Sequence, residues 1–150
     1  MSQEVVMQRE RFVDVIAEMM PLLEKHWREI AHFQDIPLEV DRVAYEQLCN
    51  MGMLRIYTMR KHTALIGYAV YFVRSNPHYK SSIQASQDVI FVDPEHRGVG
   101  RKLIQFADEQ LQIEGVQAVY HHVKAAHNFG PLLESMGYSL VDLIYTKRLD

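Results

Sequence analysis

The segment from Asp88 to Ile104 reads Asp-Val-Ile-Phe-Val-Asp-Pro-Glu-His-Arg-Gly-Val-Gly-Arg-Lys-Leu-Ile, and it constrains the fold of this chain more than any other stretch. Residues 84–92 end in the apolar run Val89-Ile90-Phe91-Val92 and predict a strand, which Asp93-Pro94 ends. Arg97-Gly98-Val99-Gly100 predicts a tight turn. Leu103, Ile104, Ala107 and Leu111 then recur at helical spacing, up to about Glu114, and Gly115 stops the helix. A strand that enters a helix through glycines builds an anion site. The first amides of a helix lack partners and sit at the positive end of its dipole. Gly98 and Gly100 carry no Cβ, so a phosphate can approach the backbone. Arg97, Arg101 and Lys102 add positive charge beside it. A lone Gly-x-Gly is weak evidence; the strand before, the helix after and the flanking cations give this one weight. It is neither a Walker loop nor a dinucleotide fingerprint, because Leu103 stands where the third glycine of the latter belongs.

The remaining elements follow from periodicity and punctuation. Residues 9–31 predict a helix, with Phe12, Ile16, Met19, Met20, Leu23 and Trp27 on one face and a kink or break at Pro21. Residues 41–51 predict a second helix, with Asp41 as N-cap and Gly52 as stop. Residues 53–59 and 64–73 predict strands joined by a loop at 60–63, and residues 75–78 form a turn cluster. Residues 117–123 predict a strand, 130–136 a short helix stopped by Gly137, and 138–149 another extended segment. Residues 1–7 add a first strand, on the evidence of Val5, Val6 and Met7. The order is that of an α/β chain, an antiparallel meander followed by a crossover unit.

Length and composition narrow the function. The 150 residues suit one domain spanning residues 1–150. A net charge of −3 is a poor start for wrapping nucleic acid. Cys49 is the single cysteine, so no internal disulfide forms and a reducing, cytoplasmic location is expected. The N-terminus lacks a basic leader, and no apolar run approaches the ~20 residues that span a bilayer, so no membrane partner is expected. His121, His122 and His127 match no structural zinc spacing, and no metal is expected.

The glycine turn resembles the pyrophosphate motif of the GNAT superfamily of acyl-CoA-dependent N-acetyltransferases, Gln/Arg-x-x-Gly-x-Gly/Ala after a strand ending Val-x-Pro-Glu. Here it reads Glu95-His96-Arg97-Gly98-Val99-Gly100 after Val92-Asp93-Pro94-Glu95. Glu95 departs from the motif; a carboxylate there would repel pyrophosphate, so Glu95 is expected to point away and Arg97 to carry the charge. The resemblance implies a mixed, mostly antiparallel central sheet of six or seven strands, flanked by about four helices and splayed between the fourth and fifth strands. It implies acetyl-CoA as cosubstrate, with the pantetheine arm beside Ile90, Phe91 and Val92. Arg97, Gly98, Val99, Gly100, Arg101 and Lys102 would meet its phosphates, and Asn128 is placed among the cofactor-binding residues with them.

The implied reaction moves the acetyl group of acetyl-CoA to a primary amine by direct attack in a ternary complex. It needs a neutral amine and a polarised carbonyl. The family's base lies on the fourth strand, where Asp88 and Ser86 stand two apart on one face. An ordinary Asp is too acidic to be a strong base, so Asp88 serves through water or as an ammonium anchor unless burial raises it. The family's last-helix Tyr, the proton donor to the thiolate, is Leu133 here. His122 is the alternative acid–base group, since Val119, His121 and Val123 read as a packing face. His26, Trp27 and His78 fall where the family's acceptor pocket lies, and residues 76–79 are placed to gate it. The acceptor is a small-molecule or peptide amine, and the oligomeric state is left open, a homodimer included. Two other functions are weighed: a non-catalytic acyl-CoA-binding regulatory module, and a toxin-like aminoacyl-tRNA acetyltransferase, against which the net charge argues.

Overall fold

The computed structural model describes residues 4–150, the side chain of Arg97 excepted. A single sheet of five strands organises it, in the order β1 (Val5–Arg9), β2 (Leu54–Lys61), β3 (Ala64–Asn76), β4 (Tyr79–Val92), β5 (Ala118–Tyr120). The first four pair antiparallel in succession, and β5 joins β4 in parallel. The crossover between them is a 3₁₀ turn, Pro94–Val99, and a helix, Gly100–Ile113.

The sheet is covered on both faces, which is why β3 reads as a nearly continuous apolar run over residues 64–73. Along β2, Leu54 and Ile56 face one layer while Tyr57 and Met59 face the other, the period-two alternation of a strand. The first face carries α1 (Phe12–Ile30), through Phe12, Val15, Ile16 and Met19, and α2 (Arg42–Asn50), through Tyr45 and Leu48. The second carries the crossover helix α3 (Gly100–Ile113), whose predicted stripe of Leu103, Ile104, Ala107 and Leu111 is buried. A short helix, α4 (Gly130–Ser135), follows β5.

Local signals placed the turns well. The β2–β3 hairpin closes on His62 and Thr63, both left-handed at φ 51° and 67°, as a two-residue loop matching the strand twist requires. Asp41 caps α2 by accepting the Ala44 N–H at 3.0 Å. Other expectations are corrected. Pro21 leaves α1 as one helix. The carbonyl it deprives of a partner is that of Ala17, an exposed residue, while the buried face holds the helix together. Arg9 belongs to β1, where it pairs with Tyr57, so α1 begins later than residue 9. Of the strand expected over residues 1–7, the first three lie outside the described residues. Residues 138–149 form no strand, and the sheet therefore has five strands instead of six or seven. Leu140, Val141, Leu143 and Ile144 remain 68–74% exposed, because strand propensity without a pairing edge makes no ladder. Arg148 anchors this segment to Asp35 through bonds of 2.9 and 3.0 Å.

Candidate active site

Strand β4 carries the site, and its two neighbours shape it differently. Val70 pairs with Val89 but Tyr71 pairs with Gln87, so Asp88 is the extra residue of a β-bulge. On the other side the parallel ladder covers only Gln84, Ala85 and Ser86 against Ala118, Val119 and Tyr120. β4 continues to Val92 and β5 does not, so the two strands part immediately after Ser86. This is the divergence expected between the fourth and fifth strands. It also makes β5 shorter than the predicted 117–123.

A side-chain bridge replaces the ladder where the strands part. Gln87 is nearly buried; its Nε2 donates to the His122 carbonyl at 3.4 Å, and its Oε1 meets His121 Nδ1 at 2.7 Å. Burial, with a smaller contribution from His122, lowers the His121 pKa to about 4. The ring is therefore neutral near pH 7, and its Nδ1–H donates to the amide oxygen. His121 also packs edge-on against Tyr71, Phe129 and Tyr138. It is a packing histidine, as its strand face predicts, and His122 is the exposed member of the pair.

Asp88 faces the layer of α1 and α2. Its Oδ2 accepts a short hydrogen bond from the Tyr45 hydroxyl, and the Tyr45 ring stacks on Phe12 at 5.3 Å and Phe72 at 6.3 Å. Burial pushes the Asp88 carboxyl above its ordinary value of 3.8, and the bond from Tyr45 offsets part of that rise. Burial and the same bond hold the Tyr45 hydroxyl well above its ordinary value, so it stays a donor. The Tyr68 hydroxyl, deep in this layer, is buried with no hydrogen-bond partner among the described residues. Ser86 lies on the same side as Asp88 and lines an open cleft of about 450 Å³ with Leu48, Met53, Phe72 and Arg74. Tyr45 was missed in the sequence, where it is one of several half-apolar positions of α2 and nothing local ties it to Asp88.

The glycine turn follows β4 directly. Asp93 organises it: its carbonyl accepts the His96 N–H at 2.7 Å, its Oδ1 the Glu95 N–H at 3.2 Å, and its Oδ2 lies 3.4 Å from Lys25 Nζ. Val99 is the N-cap of α3 and gives the first-turn amides no side-chain bond. A Cβ on Gly98 would meet nothing within 4 Å, and one on Gly100 only Val92 Cγ2 at 3.8 Å. Left-handed backbone occurs at Gly52, Gly115 and Gly137 but not at these two. Neither backbone angle nor internal packing thus requires glycine at 98 or 100, and the bare surface suits a bound phosphate.

The other sequence candidates are more dispersed. Arg101 Nη1 donates to Ser135 Oγ at 2.9 Å and so ties α3 to α4, while Lys102 and Glu95 are exposed. Asn128 Oδ1 accepts the Gly130 N–H at 2.8 Å at the start of α4. Leu133, in place of the family's tyrosine, is buried. Tyr138 donates to Asp108 Oδ1 at 2.5 Å. His26 stacks on Phe91 at 4.7 Å, joining α1 to β4. Trp27 is half-buried beside it in α1, and His78 is exposed in the β3–β4 loop, its N–H held by Asn76 Oδ1 at 2.8 Å. Among the described residues, no His, Cys, Asp and Glu side chains gather in a group able to hold a metal ion.

Residues 16–137 match the model of the acetyltransferase (GNAT) family. The chain belongs to that family. This GNAT protein is an acyltransferase, and its fold recurs in solved structures of low identity. One is a ribosomal-protein-alanine N-acetyltransferase from Brucella melitensis biovar Abortus 2308, with a TM-score of 0.71, 18% identity, and coverage of 98% of this chain and 100% of the other. A glucosamine-6-phosphate N-acetyltransferase from Arabidopsis thaliana gives 0.73 and 13% identity, covering 99% and 100%. A predicted acetyltransferase with acetyl-CoA from Clostridium acetobutylicum gives 0.73 and 10%, covering 97% and 96%. No curated protein matches the sequence. Among the described residues of this GNAT chain, no helix is long and apolar enough to cross a membrane.

Proposed function

We propose that this GNAT protein transfers the acetyl group of acetyl-CoA to a primary amine by direct attack in a ternary complex. The observation that carries the reading is Asp88, a half-buried carboxylate with a raised pKa on the bulge of β4, one residue beyond the last Gln87 bridge and on the side of the open cleft. The strand divergence after Ser86 supports a pantetheine arm lying along Ile90, Phe91 and Val92. The bare turn at Gly98 and Gly100 supports the pyrophosphate, and Arg97, Val99, Arg101 and Lys102 are its neighbours in the sequence.

The acceptor arrives as an ammonium, and Asp88 attracts it and takes its proton, directly or through a water. Burial raises Asp88 toward the basicity that task needs. The freed nitrogen attacks the thioester carbonyl, the carbon–sulfur bond breaks, and the nitrogen's second proton passes through solvent to the departing sulfur, so that the amide and the CoA thiol are the products. Ser86 supplies a hydroxyl along the same wall, and His122 is an exposed residue just beyond β5 whose carbonyl accepts from Gln87 on β4. The structural relatives named for transfer to a protein alanine and to an amino sugar support an amine acceptor. Cys49 sits half-buried on α2, so a reducing, cytoplasmic setting and a route without an acyl-cysteine fit the chain. Asp88→Asn keeps the shape and removes the charge. Turnover, read as thiol release, is expected to fall by about 10²–10⁴-fold, with acetyl-CoA affinity nearly unchanged and the loss shrinking at high pH. Wild-type turnover in that variant at neutral pH would assign Asp88 a structural role.

A further inference from the structure

We infer that the acceptor is a small amine that also carries a negatively charged group, carboxylate or phosphate, bound by Arg74. This rests on the reading of Asp88 as the group that takes the amine. The cleft lined by Ser86, which precedes Asp88 by two residues on the same face of β4, has an apolar wall of Leu48, Met53 and Phe72 and a polar wall of Arg74, Gln84 and Ser86. Arg74 is the one charged residue in that lining. Its Nε donates only to the Ser75 carbonyl, at 3.4 Å, and no carboxylate stands within ion-pair distance of it among the described residues. By contrast Arg9, Arg55, Arg60 and Arg148 are each paired with an acid.

The surrounding hairpin repeats the asymmetry. Between Thr63 and Asp88 the sequence holds Arg74 and Lys80 but no Asp or Glu, within a chain of net charge −3. A polycationic acceptor would meet repulsion there, and a neutral one would leave the guanidinium unused. Arg74 pairs in register with Gln84, and Gln84, Ser86 and Asp88 follow one another along a single face of β4. That sets the Arg74 and Asp88 backbones about 13 Å apart along the sheet. The two side chains close part of the gap and leave a span that a metabolite bridges, its ammonium at Asp88 and its anion in the planar fork of Arg74.

The test uses matched pairs of amines with acetyl-CoA: an amino acid against its methyl ester, and a phosphorylated amino alcohol against its free alcohol. The anionic member of a pair is expected to give a kcat/KM roughly 10–100-fold higher, the range of charge-assisted bonds. The pair with the larger ratio distinguishes carboxylate from phosphate. Arg74→Gln, an exposed substitution that keeps the stem, should collapse the ratio toward one, chiefly through KM. Equal or better use of neutral amines, polyamines or a peptide without acidic groups overturns the inference. So does a panel in which no anionic amine is turned over, or an Arg74→Gln effect equal on both members. Asp88→Asn reports separately on the underlying reading, because it lowers turnover of every amine without changing their ranking.

Discussion

Replacing Gly98 or Gly100 by alanine should move stability and cofactor affinity in opposite directions. Both residues lie outside the left-handed region, and a methyl group meets nothing at 98 and only an ordinary 3.8 Å contact at 100. Gly→Ala at such positions stabilises by about 0.4–1 kcal/mol, by restricting the unfolded chain. In a chain of this size that raises the melting temperature by about 1–4 °C. The same methyl group stands where a pyrophosphate would approach the uncapped amides of α3. Losing one charge-assisted hydrogen bond costs roughly 1.5–3 kcal/mol, or about 10–100-fold in Kd. Thermal melts without ligand and calorimetric titration with acetyl-CoA read the two quantities. Unchanged affinity in both variants would refute the phosphate role. A lowered melting temperature accompanying lost binding would show that the glycines serve the turn itself. Gly67 is the control for a glycine kept for packing, since its Cβ would meet the Phe91 carbonyl at 3.0 Å and substitution there should destabilise.

Tyr45→Phe removes the bond that holds down the Asp88 pKa, so the acidic limb of the pH–rate profile should move to higher pH, with acetyl-CoA binding retained; a limb that stays in place separates Tyr45 from Asp88 function. Arg60 bonds Glu10 and Glu18 together, with N–O distances of 2.8–3.0 Å, and Glu10 also accepts from the buried Thr58. Burial pushes Glu10 up, but its bonds to Arg60, Thr58 and Gln8 outweigh that, and the bond to Arg60 lowers Glu18, so both fold with a pKa below the ordinary 4.5. Their stabilisation is therefore present above about pH 4.5 and lost as pH falls through the lowered values. Arg60→Gln should cost about 1–3 kcal/mol near neutrality and flatten the acid side of a plot of melting temperature against pH; an unchanged slope would exclude the cluster as the source.

The amino-acid sequence determined what short-range chemistry can encode. Strand, glycine turn and helix around Gly98 and Gly100, the buried stripe of α3, the Asp41 cap and the stop at Gly52 all rest on residues within a turn or two of each other. So does the placing of Asp88 and Ser86 on one face, since strand residues alternate whatever they pair with. The bulge at Asp88 and the parting of β4 from β5 are different in kind. They are properties of register between segments separated by a turn or by a whole helix, and register follows from the summed packing of both faces. The Tyr45–Asp88 bond spans 43 positions and the Gln87–His121 bond 34, and no periodicity reports on either. Residues 138–149 show the converse, because their composition favours a strand while only the tertiary fold decides whether an edge stands beside them to complete the hydrogen bonds.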